Sequence, residues 1–139
     1  MLDTSVLVAA IRSDRGASRV LLVGALERRY QLLVSVPLMI EYESVLTRAE
    51  HLEASGLSIE DVGAILDAIA STAEPVRLAY LWRPVLSDAG DDMVLETAVN
   101  GLADMLVTFN RRDFDIAAAR FTVRMASPGE AVGRLGKSR

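Results

Sequence analysis

The 139-residue sequence has no cysteine. That excludes a disulfide framework and any thiolate metal site, and it makes a reducing cytoplasm the expected location. There is a single histidine, His51. One imidazole is insufficient for a His-based metal centre or general-base constellation, and its polar surroundings mark it as a surface side chain. The single lysine is Lys137, in the tail. A glycine-rich phosphate loop with its lysine is therefore missing, which removes a P-loop nucleotide hydrolase. A two-component receiver would also want a late lysine near its site. No apolar stretch is long enough to cross a bilayer. Asp3 interrupts the extreme start, where a signal peptide would carry a basic segment and then an apolar run. Repeats, low-complexity tracts and a second domain are all absent.

Positive charge is also scarce. The net charge is −4 and the pI about 5.0, which argues against a broad basic nucleic-acid surface. A nuclease remains compatible with that balance, because acids that hold metal count toward the negative total and bound cations invert the local field. The pairs Arg28-Arg29 and Arg111-Arg112 read as solvated faces. Apolar residues make up 51% and charged residues 24%, the composition of a globular, soluble chain. Its length fits one domain, assigned to residues 1–135, with a frayed tail over 136–139.

The order of elements follows from periodicity and punctuation. Met1 to Val8 reads as a strand end turning into a helix. A helix is expected over Ala17 to Arg29, and a buried strand over Leu32 to Val36, ended by Pro37. The next helix is placed at Pro37 to Thr47, where proline suits the first turn. Arg48 to Gly56 reads as a polar stretch. Ser58-Ile59-Glu60-Asp61 resembles a capping box, and Ile59, Val62, Ile65, Leu66 and Ile69 then recur at helical spacing. Pro75 ends that helix, and Val76 to Tyr80 alternates weakly as a strand. A helix from Asp91 to Asn100, closed by Gly101, leads to a buried strand at Met105 to Thr108. A short helix at Ile116 to Arg120, a strand at Thr122 to Met125 and a helix from Pro128 complete the pattern. Short apolar strands alternating with helices define an α/β fold: a three-layer α/β/α sandwich around a central parallel sheet.

Against this background the acids stand out. Asp3 ends the first strand, and Glu41 opens Glu41-Tyr42-Glu43-Ser44-Val45-Leu46. Asp91-Asp92 begins an apolar helix, and Asp113 follows the fourth strand. Burying such acids singly is costly. Gathered at the carboxyl ends of parallel strands, where sites of such sheets lie, they suit a hard cation, Mg²⁺ or Mn²⁺. Each acid also has a structural alternative. Asp3 could cap a helix, Glu41 could answer a helix dipole, Asp91 or Asp92 could start a helix, and Asp113 could be a turn residue. Asp88 and Asp104 read as surface or capping acids. Trp82 with Leu81 and Tyr80 reads as core or interface.

The ordered blocks resemble a known family. They are Leu2-Asp3-Thr4-Ser5-Val6-Leu7-Val8-Ala9-Ala10, Glu41 to Leu46, Leu81-Trp82-Arg83-Pro84, Asp88 to Ala98, and Ala103 to Phe114. Together they are similar to PIN-domain ribonucleases, in the branch of toxins from toxin–antitoxin systems. The resemblance implies RNA phosphodiester hydrolysis with one or two Mg²⁺ or Mn²⁺ ions. It implies that Asp3, Glu41 and Asp91 are metal ligands, with Asp92 able to share or take the third place. The fourth station falls within Thr108 to Phe114 and is Asn110 or Asp113. Ser5 and Thr108 match hydroxyl positions that orient ligands or water. The family further implies an antitoxin partner that inserts an arginine near the acids, and a homodimer. Two departures are visible: only Met1 and Leu2 precede Asp3, and Ser5 stands where asparagine is common. A haloacid-type phosphatase would need a second Asp at position 5, which is Ser. The other reading is a degenerate PIN domain that binds RNA or protein without cutting.

Overall fold

The computed structural model describes residues 1–78, 89–110 and 123–137, with the backbone alone for residues 89–93 and 136–137. Seven helices are described: α1 (Thr4–Arg12), α2 (Ala17–Leu26), α3 (Val36–Leu46), α4 (Ala49–Ser55), α5 (Ile59–Thr72), α6 (Ala89–Asn100) and α7 (Pro128–Lys137). The last runs through Gly136 and Lys137, two residues of the expected tail. The strands are β1 (Leu33–Val34), β2 (Glu74–Pro75), β3 (Leu106–Val107) and β4 (Met125–Ala126). β1 pairs with β2 and β3 with β4, both parallel. Leu2 joins β3 through one parallel bridge to Val107. The fold is α/β with helices packed around parallel strands, as the alternation of elements predicts. No helix among the described residues is long and apolar enough to cross a membrane.

Several boundaries move for physical reasons. Helix α2 stops at Leu26 rather than Arg29 because Arg28 adopts a left-handed backbone, φ 59°. Arg29 N–H then reaches back to the Gly24 carbonyl and Arg28 N–H to that of Ala25, the paired bonds of a Schellman close. Residues 48–56 are not merely a polar stretch: Ala49–Ser55 is a helix, closed by Gly56 at φ +75°. α4 packs on α1, so His51 is only 9% exposed rather than a surface side chain. Where a strand is expected from Val76 to Tyr80, the structure has one at Glu74–Pro75 instead; residues 76–78 are not strand, and 79–80 lie outside the described residues. Glu74 and Val76 donate to the Leu32 and Val34 carbonyls, so Pro75 falls on the position that owes the ladder no N–H. The capping box at Ser58 and Asp61 forms as predicted, each side chain accepting the other's backbone N–H. That contact holds the Asp61 carboxyl below its ordinary value of 3.8.

Helix α6 closes one residue later than the glycine signal suggests. Leu102, not Gly101, takes the left-handed conformation, φ 53°. Leu102 N–H donates to the Val99 carbonyl and Ala103 N–H to that of Ala98, a second Schellman close. A β-carbon is disfavoured there by about 1–2 kcal/mol, and the Leu102 side chain is 87% exposed, returning little by burial. Leu102→Gly is therefore expected to raise stability by about 0.5–1 kcal/mol, less than the full conformational cost because glycine also gains unfolded-state entropy. A thermal melt checks this, and a lower Tm for the variant would refute it.

Candidate active site

The strand ends that carry the site are tied together by backbone bonds. Asp3 N–H donates to the Val107 carbonyl at 2.9 Å, and Val107 N–H to the Met1 carbonyl at 2.9 Å. Thr108 N–H donates to Ala126. Asp3 and Thr108 thereby emerge side by side at the carboxyl ends of adjacent parallel segments. Asp3 also stands at the N-cap of α1, yet its side chain makes no capping bond. An N-cap aspartate ordinarily accepts a first-turn N–H. Here Oδ2 instead accepts from the Ser5 hydroxyl at 2.8 Å and the Thr108 hydroxyl at 2.6 Å. Oδ1 accepts no hydrogen bond from the described residues. Asp3 is 4% exposed, so one oxygen of a buried carboxylate is anchored, and among the described residues the other has no donor.

The surroundings extend that anchor. Thr108 Oγ1 accepts from Asn110 N–H at 2.9 Å, a chain from the exposed Asn110 backbone through Thr108 to Asp3. Tyr42, fully buried on α3, donates its hydroxyl to the Leu2 carbonyl at 2.5 Å. Burial, then the Asp3 charge, then Tyr30 hold its pKa well above the ordinary 10.0, so it stays a donor. Its neighbour Glu41 is half-buried and makes no hydrogen bond or ion pair with the described residues, while Glu43 is exposed on another side of α3. At the end of β1, Ser35 caps α3 by accepting Leu38 N–H, and its hydroxyl lies 2.6 Å from that of Thr97 on α6. Asp91 lies six residues earlier on α6, about 9 Å along the axis, and Asp92 about 7.5 Å.

The structure thus brings Asp3, Ser5 and Thr108 into direct contact, sets Asn110 one step away, and docks the helix of Glu41 onto the same strand end. Asp91 and Asp92 are placed by backbone only, and Asp113 lies outside the described residues, as do Trp82 and the expected helix at 116–120. Among the described residues, no group of three or more His, Asp or Glu side chains is placed to hold a metal ion. Sequence reasoning passed over Glu96, which is 1% exposed on α6. Its signal was available, an acid inside Val94-Leu95-Glu96-Thr97-Ala98. Tyr42 and Thr97 fall within the family-like blocks, but those blocks do not reveal their partners, Leu2 and Ser35.

An α/β protein with a buried carboxylate at the carboxyl ends of its parallel strands belongs to the class whose sites lie on that rim. The sequence model described as the PIN domain matches residues 1–112, and the chain belongs to the PIN domain family. PIN domains are generally nucleases, commonly with divalent metals. No curated protein matches the chain, and no solved structure matches it.

Proposed function

We propose that this PIN domain is a metal-dependent endoribonuclease and the toxin of a toxin–antitoxin pair. The observation that carries the reading is Asp3, a buried carboxylate whose Oδ2 is held by two hydroxyls while Oδ1 accepts nothing from the described residues. An oxygen-only donor set of this kind fits a hard cation such as Mg²⁺ or Mn²⁺. Asp3, Glu41 and Asp91 are the proposed ligands, with Asp92 beside the third and Asp113 or Asn110 completing the set. A cation held there supplies an activated water and neutralises charge on the phosphoryl oxygens.

The chain's own residues do the remaining work. Ser5 and Thr108 fix the Asp3 carboxylate in one orientation, so that little reorganisation is needed when substrate arrives. Phe109 and Asn110, both exposed, follow Thr108 directly and are proposed to meet the RNA strand. The proposed partners are a second copy of the chain and an antitoxin whose arginine occupies the acidic pocket. A guanidinium there replaces the cation's charge through charge-assisted hydrogen bonds. The proposed setting is the cytoplasm.

The test is cleavage of a panel of structured and single-stranded RNAs by the purified chain. Internal cuts are expected with Mn²⁺, are lost in EDTA and return when Mn²⁺ is restored. RNAs left intact under all three conditions would refute the proposal.

A further inference from the structure

We infer that the Tyr42 hydroxyl sets the spacing between the Asp3 and Glu41 carboxylates, and so is a positioning residue for the cation pocket. This inference rests on the metal-dependent reading above. Its basis is the peptide unit between Leu2 and Asp3, which is held at both ends. The carbonyl accepts the Tyr42 hydroxyl, and the N–H of Asp3 donates to Val107. A peptide unit is rigid, so these two bonds fix where the Asp3 α-carbon begins. Ser5 and Thr108 then fix its carboxylate.

Tyr42 is the residue immediately after Glu41 on α3, and it is fully buried. Its hydroxyl therefore links the backbone next to one proposed ligand with the helix turn that carries the other. Forty residues of sequence separate the two partners of this bond. Ser35, which caps α3 and meets Thr97, secures the start of the same helix against α6. Tyr42 secures its middle against the strand.

A second tyrosine provides the control. Tyr30 donates its hydroxyl to the Leu21 carbonyl at 2.6 Å, a bond that links the segment after α2 back to that helix and touches neither proposed ligand. Tyr42→Phe and Tyr30→Phe each remove one hydroxyl from one backbone carbonyl. A merely structural role predicts similar losses of Tm and unchanged metal binding in both.

Mn²⁺ and Mg²⁺ dissociation constants are measured for the whole chain and both variants, together with KM and kcat for a cleaved RNA. Tyr42→Phe is expected to weaken Mn²⁺ about tenfold, the scale of an outer-shell change. Mg²⁺ is expected to weaken further, because it demands stricter ligand geometry. The RNA KM stays unchanged, and Tyr30→Phe binds both ions as the parent does. If Tyr42→Phe proves too unstable to purify, both tyrosine variants are compared in the Leu102→Gly background. Parent-like affinities in Tyr42→Phe overturn the positioning role alone, and equal weakening in Tyr30→Phe overturns it too. Failure of the unaltered chain to bind either ion overturns the parent reading and this one together.

Discussion

Asp3→Asn is expected to lower kcat/KM for RNA cleavage about a thousand-fold, or about 4 kcal/mol of transition-state stabilisation, while leaving the fold intact. Asparagine has the shape of aspartate and retains one carbonyl oxygen. Ser5 and Thr108 both donate to the same carboxylate oxygen, so a single amide oxygen can accept both bonds. The substituted NH₂ then occupies the other position, where it offers hydrogens instead of lone pairs. A cation at that point loses a charge and meets a donor. The amide keeps both hydroxyl contacts within the fold, so the Tm is expected to hold while activity collapses. Steady-state kinetics and a melt on the same preparation check this. A variant that unfolds would make Asp3 structural, and one that cuts normally would remove it from the chemistry.

The second large effect concerns the close approach behind α6. A β-carbon on Gly101 would lie 2.8 Å from Val76 Cγ2, 3.0 Å from Leu33 Cδ1 and 3.0 Å from the Thr97 carbonyl oxygen. The two side chains can shift, but the carbonyl belongs to the helix and accepts Gly101 N–H at 2.9 Å. Gly101→Val is expected to cost about 3 kcal/mol, the upper end of ordinary overpacking, with a Tm lower by about 10 °C for a chain of this size. The strain falls between α6 and β1, so the Ser35–Thr97 contact is expected to loosen with it. Chemical denaturation measures the loss, and a change below about 1 kcal/mol would show that α6 yields freely.

These cases show what local sequence can carry. The capping box at Ser58 and Asp61 is legible because both partners lie within one turn. The strand at Leu106 and Val107 is legible because it is an apolar run between punctuating residues. Asp3 is legible because an acid interrupts apolar neighbours. α4 is not, because it is short and four of its seven residues are polar, with His51 its one buried residue. The position of Gly101 suggests a helix cap, yet its lack of a β-carbon serves packing, and Leu102 bears the left-handed backbone. The links that organise the site are the hardest to read. Tyr42 meets Leu2 across 40 residues, and Ser35 meets Thr97 across 62. Neither side chain belongs to a spacing pattern, so only folding reveals the partner.

The most direct test of the account is a crystal of this chain soaked with Mn²⁺ and examined for anomalous scattering. The predicted result is a manganese peak coordinated by Asp3 Oδ1, with Glu41 and a carboxylate from the start of α6 on the same ion. A peak remote from Asp3, or none at Mn²⁺ concentrations that support RNA cleavage, would contradict it.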